Sequence, residues 1–174
     1  MIRTSQASIE EGLIELCELW ARRRSKDPST KVGAVMYDVT TGSAHLGYNG
    51  FPGGIEDRTE WWECRGDGPT SSEHRLTKYD LVVHAEVNAV RKALRAGVDL
   101  TKATLVVTHL PCPECMKNVI VANGIKRVVY AIEDYKSATN RAVWLTKELA
   151  RMSGTKLIQA THLTGDGKQY RVED

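Results

Sequence analysis

No stretch of this 174-residue chain approaches the roughly 18–20 consecutive apolar residues that cross a bilayer. The first residues, MIRTSQASIEEG, lack the apolar core of a secretory signal. Both absences argue for a cytoplasmic protein with no membrane partner, in a compartment where disulfides are disfavoured. Charge of one sign is also missing: 24 Lys and Arg stand against 22 Asp and Glu, a formal net charge of +2. Such a balance does not suit a nucleic-acid polymer as partner and leaves room only for a localised basic patch. Cysteines number four, and just two of them, Cys112 and Cys115, lie close together. Under reducing conditions a C-x-x-C pair reads first as metal-binding or redox-active. Repeats, low-complexity tracts and internal linkers are absent too. What is present is a globular composition, 41% apolar and 26% charged. The length suits one domain over 1–174 and is too short for two ordinary ones.

Periodicity supplies the elements. Ser8 and Glu11 have capping-box spacing, and Ile9, Leu13, Leu16 and Trp20 recur at helical intervals. A first helix ends near Arg22–Arg24, whose cations suit the negative end of its dipole. KVGAVMYD (31–38) and SAHLGYN (43–49) are β-type runs about a Thr-Thr-Gly turn, a predicted hairpin. Residues 50–80 are polar and rich in Gly and Pro, with Trp61 and Trp62 embedded; so long a segment is more often functional than idle. Helices are predicted over about 84–96, 113–123 and 139–152, and strands over 104–110, 127–132 and 155–161. The order α-β-β-α-β-α-β-α-β describes one sheet with helices on its faces, an α/β sandwich. The last residues, 162–174, read as a peripheral tail.

Chemistry concentrates in two motifs. HAEVNA (84–89) and PCPEC (111–115) each open a predicted helix, and His84 precedes Cys112 by 28 residues. Zinc favours nitrogen and thiolate donors in a tetrahedral shell, and catalytic zinc takes only three protein ligands. His84, Cys112 and Cys115 make such a set; the two thiolates offset the charge of Zn2+, and helix N-termini favour thiolates. Cys17 falls within a helix, Cys64 in the 50–80 segment and His109 at a strand end, so the fourth position is left to water. An open position activates water, whereas a structural site is closed. Glu86, two residues after a ligand that starts a helix, can then face that water as general base and acid. A lone C-x-x-C is equally a redox pair or a zinc knuckle, and a lone H-x-E arises by chance. The two together at successive helix starts are far more specific.

The H-x-E…P-C-x-x-C pattern resembles that of zinc-dependent nucleobase deaminases. RRRSKDPSTKVGAV (22–35), GYNGFPGG (47–54), VVHAEVNAV (82–90), VTHLPCPECMKNVI (107–120) and NGIKRVVYAIEDY (123–135) extend the likeness to the deoxycytidylate (dCMP) deaminases. The resemblance implies a cytidine deaminase-like three-layer α/β/α sandwich around a five-stranded mixed sheet. It implies hydrolysis of dCMP to dUMP and ammonia, feeding thymidylate synthesis, by attack of an activated hydroxide on C4. Glu86 would shuttle protons to N3 and to the leaving amine, with the Ala85 amide on the base carbonyl. Asn49 matches the asparagine that family members use for the deoxyribose 3′-hydroxyl; as a bare sequence feature it is equally a turn residue before Gly50. Ser25, Lys26, Thr30 and Tyr135 match positions near the nucleotide phosphate, and SKDPST is equally a solvated turn. The family further implies a lid over 55–80, sometimes with a second zinc site near residues such as Cys64 and His74. It also implies a homo-oligomer regulated by dCTP and dTTP.

Other readings stay open from sequence alone. A deaminase of free cytidine or of 5-substituted dCMP would share the centre, and a free-nucleoside enzyme has no need of phosphate-reading residues. A tRNA adenosine deaminase calls for a basic surface. A non-catalytic zinc scaffold predicts a closed shell and gives Glu86 no task.

Overall fold

The computed structural model describes residues 5–64, 76–133, 140–162 and 170–173. Helix α1, Gln6–Arg24, begins earlier than the capping box at Ser8 predicts. The cap is Ser5, whose hydroxyl accepts the Ser8 amide at 3.2 Å, and Ile9 N closes the first turn on Ser5 O at 3.1 Å. Strands β1 (Gly33–Asp38) and β2 (Ala44–Tyr48) form the predicted antiparallel hairpin. Gly42, at φ 76°, turns the chain between them, a conformation that a side chain would strain. β1 starts two residues later than the apolar run because the Val32 amide is taken by the side chain of Asn49 at 2.8 Å.

Among the described residues of the predicted 50–80 segment the chain forms the short helices α2 (Thr59–Glu63) and α3 (Lys78–Leu81). There follow α4 (Ala85–Arg95), β3 (Ala103–His109), the single turn α5 (Pro113–Cys115), β4 (Arg127–Ile132), α6 (Asn140–Ser153) and β5 (Lys156–Gln159). The helix predicted over 113–123 is not uniform: α5 passes directly into a π-helical stretch, Met116–Val121. The run predicted over 155–161 divides at Ala160, and Thr161–His162 (β6) pairs instead with Tyr170–Arg171 (β7).

The main sheet has the order β2-β1-β3-β4-β5. β1 is antiparallel to both neighbours, and β3, β4 and β5 run parallel, so the sheet is mixed as expected. Alternation sorts its residues onto two faces. Ala34, Met36, Leu105, Val107 and Val128 pack with Ala89, Ala93 and Val90 of α4, Met116 and Ile120 of the π stretch and Ala150 of α6. Val35, Val106, Val129 and Ile158 face the other way, onto Leu13, Ile14 and Cys17 of α1. Helices on both faces make the three layers. The tail read as peripheral contributes to the α1 side, where Tyr170 and Val172 are buried. Tyr170 hydrogen-bonds Glu18 and the Val172 amide donates to Glu11 at 3.1 Å.

Candidate active site

His84 is the N-cap of α4 and Cys112 the N-cap of α5, so both ligand motifs lie where helix amides face outward. Pro113 occupies the first helical position, where its missing N–H costs nothing. The Cys112 sulfur accepts the Cys115 amide at 3.4 Å. His84 Nδ1 stands 3.6 Å from Cys112 Sγ and 3.2 Å from Cys115 Sγ, and the three donor atoms lie within 4.8 Å of one another. Zn–N and Zn–S bonds at a tetrahedral angle would separate such donors by roughly 3.6 Å. The residues therefore fit the ion. The thiol of Cys115 and the ring of His84 hold Cys112 well down, at about 4. The same Cys112 hydrogen bond lifts His84 above its usual range.

Glu86 lies one turn-step into α4 and is only 4% exposed. Burial pushes its carboxyl above the usual glutamate range, while the charge of His84 pulls the other way. Ala85, between Glu86 and His84, is fully buried. The other cysteines stay away from this point. Cys17 is buried under β3 with its thiol on Val106 O at 3.5 Å, and Cys64 caps α2. His109 Nδ1 contacts Thr108 Oγ1 at 2.9 Å and is not among the converging donors.

The start of α4 is set by close packing against β2. A Cβ on Gly47 would fall 2.3 Å from Ala85 O, so only glycine permits this approach. Asn88 Nδ2 donates to Tyr48 O at 2.9 Å, and Gly50 pairs with Val83, immediately before His84.

The residues expected around the nucleotide are distributed unevenly. Asn49 is the hub of the 25–32 loop: its Oδ1 accepts from Ser25 Oγ and Val32 N, each at 2.8 Å. Its Nδ2 donates to Thr30 O at 2.9 Å and to Asp27 Oδ2 at 3.2 Å. Ser25 is buried, Thr30 exposed, and Lys26 pairs with Asp57 at 3.0 Å. Tyr135 and His74 lie outside the described residues.

Sequence reasoning missed two features. One is Asp27, fully buried, which accepts the Ser29 and Thr30 amides and pairs with Lys78 at 2.5 Å. Burial opposes its ionisation, but Lys78, Ser29 and Thr30 together hold its carboxyl below the usual range. The D-P-S-T string signals the turn; nothing local signals a lysine so distant in sequence. The other is a cleft of about 550 Å³ lined by Arg22, Arg23, Arg24, Lys26 and Lys31, with Asp57 as the one acid among its described residues. Charge counts average such a patch away. Phe51 and Trp62, stacked at 4.0 Å and 6°, form its aromatic side, and Trp62 Nε1 donates to Asp57 at 3.2 Å. Trp61 lies tilted against Phe51 with Arg58 over its ring.

An α/β/α sandwich thus brings a histidine and two cysteines to one point, where they could hold a metal ion, beside a buried glutamate. Comparison with known proteins narrows the class. The family model described as the cytidine and deoxycytidylate deaminase zinc-binding region matches residues 7–132, and the chain belongs to that family. The deoxycytidylate deaminase of Enterobacteria phage T2 is 31% identical over 170 residues, covering 81% of this chain and 87% of that protein. The mouse deoxycytidylate deaminase is 37% identical over 114 residues, 65% of this chain, and the matched stretch spans only 59% of the mouse protein. The crystal structure of the dCMP deaminase of cyanophage S-TIM5 with dCMP and dUMP superposes with a TM-score of 0.65 at 27% identity, covering 90% of this chain and 99% of that one.

Proposed function

We propose that this chain is a zinc-dependent deaminase that hydrolyses dCMP to dUMP and ammonia, supplying dUMP for thymidylate synthesis. The observation that carries the reading is the convergence of His84, Cys112 and Cys115 beside the buried carboxylate of Glu86. His84, Cys112 and Cys115 would hold the zinc ion, which would supply Lewis acidity to activate water near neutral pH. As the water oxygen adds to C4, Glu86 takes one of its protons and places it on N3 of the cytosine; it then takes the second and places it on the amine, which leaves as ammonia when the C4–N bond breaks. Its raised pKa suits a group that must both accept and return a proton. The Ala85 amide holds the base carbonyl.

Ser25, Lys26, Thr30 and Tyr135 bind the 5′-phosphate, and Asn49 the 3′-hydroxyl. Because Asn49 is fully engaged, it meets the sugar by exchanging a partner, and its 3.2 Å bond to Asp27 is the longest it makes. The names of the T2 and S-TIM5 proteins, and the nucleotides in the latter, support the choice of substrate. The cleft carries more cations than a monophosphate dianion needs, which supports dCTP and dTTP as regulators. We further place the protein in the cytoplasm as a homo-oligomer, a single deaminase domain with residues 55–80 as lid or insertion. All four cysteines are free, and no helix among the described residues is long and apolar enough to cross a membrane.

The test is ammonia release from dCMP by zinc-loaded and chelator-stripped protein, extended to CMP, dCTP and 5-substituted dCMP. Zinc-dependent release, greatest with dCMP, is expected. Release that survives complete removal of zinc overturns the reading.

A further inference from the structure

We infer that Lys78 and Asp27 form a clasp that positions the nucleotide-binding loop, so that Lys78 is a positioning residue for ligand binding rather than for the metal centre. This rests on the reading of the site as a nucleotide site. Lys78 is 7% exposed and Asp27 is fully buried, and their charges meet at 2.5 Å. The Lys78 ammonium also donates to Ser29 Oγ at 3.1 Å. Around the Asp27 carboxylate gather Ser29 N at 2.9 Å, Thr30 N at 3.1 Å and Asn49 Nδ2 at 3.2 Å. Asn49 in turn holds Ser25 Oγ and Val32 N. Three residues assigned to the nucleotide, Ser25, Thr30 and Asn49, are thus arranged around one carboxylate, and Lys78 is its ion-pair partner.

The other end of the clasp belongs to the segment that delivers the metal ligand. The Lys78 amide donates to Cys64 O at 2.9 Å and its carbonyl accepts Val82 N at 2.9 Å. Val83 then pairs with Gly50, directly after Asn49, and His84 follows. The ion pair therefore ties the approach to His84 to the loop that would hold sugar and phosphate. Stability alone explains it poorly, since a buried ion pair contributes little over an apolar pair of similar size. A fixed spacing between the two halves of the ligand explains it directly.

The decisive variant is the double substitution Lys78→Met, Asp27→Asn, which leaves neither charge buried and unpaired, with Lys78→Arg as the conservative control. Zinc content, amide hydrogen exchange and calorimetric binding of dUMP are measured on each. We expect one zinc per chain throughout. Exchange at Ser29, Thr30 and Val32 should rise in the double variant relative to Val128 and Val129 of β4. Binding of dUMP should weaken by about tenfold to a hundredfold, the worth of one charge-assisted hydrogen bond, and Lys78→Arg should recover most of it. Unchanged exchange at the loop overturns the clasp, and faster exchange with unaltered dUMP affinity reduces it to a structural pair. Loss of zinc contradicts the division between loop and metal. Failure of the wild-type protein to bind dUMP overturns the nucleotide reading itself, and the exchange rates still decide whether the clasp exists.

Discussion

Burial makes Glu86 costly as an anion, which the charge of His84 and a backbone amide offset in part. Replacement by glutamine keeps the shape, so Glu86→Gln should retain zinc and thermal stability while turnover falls by about 10²–10⁴-fold. Steady-state kinetics with metal analysis check this; near-wild-type turnover would remove Glu86 from the mechanism. Asp27 is the opposite case, a buried carboxylate held ionised by Lys78 and the loop amides. Its folded pKa lies below the ordinary 3.8, so its contribution to stability is complete above that value and disappears as pH falls through the lower folded one. Asp27→Asn should accordingly flatten the acid limb of stability against pH, measured by urea midpoints. An acid limb as steep as wild type would show that Asp27 titrates alike in folded and unfolded chains. At this scale the sequence was legible for the convergence of His84, Cys112 and Cys115, because ligand chemistry demands particular residue types at fixed spacing. It was silent on Lys78, whose partner is brought to it by the fold alone.

Elements set the distances these residues need. β2 lies so close to the first turn of α4 that a Cβ on Gly47 would sit 2.3 Å from Ala85 O and 2.5 Å from Ala89 N, both backbone atoms. Neither can yield without shifting the helix that carries Ala85 and Glu86. Gly47→Ala should destabilise the fold by about 1–3 kcal/mol, as overpacking does, with a loss of turnover beyond the loss of folded protein. Denaturant unfolding beside activity per folded molecule tests it; an unaffected midpoint would contradict the packing account. Helix α4 could be read from sequence because its polar cap and apolar stripe are local signals. The π stretch Met116–Val121 could not, since one residue added to a helical turn leaves the apolar periodicity almost intact. The burial of Tyr170 and Val172 was hidden for another reason. HLTGDGKQYRVED is polar as a string, and nothing in it marks Tyr170 and Val172, which enter the core among its described residues.

Across the whole molecule, one mixed sheet separates two apolar layers and sets the ligands at the helix starts on one of them. Fold class was legible because the alternation of strand and helix patterns admits few arrangements. The basic cleft was not, because a net charge of +2 says nothing about where Arg22, Arg23, Arg24, Lys26 and Lys31 gather. Under the proposed reading, that cleft and the loop beside it hold the 5′-phosphate. Hydrogen bonds to a charged group contribute about 1.5–3 kcal/mol each, so losing two removes roughly a hundredfold or more in efficiency. Binding energy realised at the phosphate can also position the reacting carbon, which raises turnover as well as affinity. The most direct measurement is kcat/KM for ammonia release from dCMP and from deoxycytidine by the same zinc-loaded protein. The account predicts a preference for dCMP of roughly a hundredfold or more, carried by kcat as well as KM. Equal efficiency on the two would contradict it and make the protein a nucleoside deaminase.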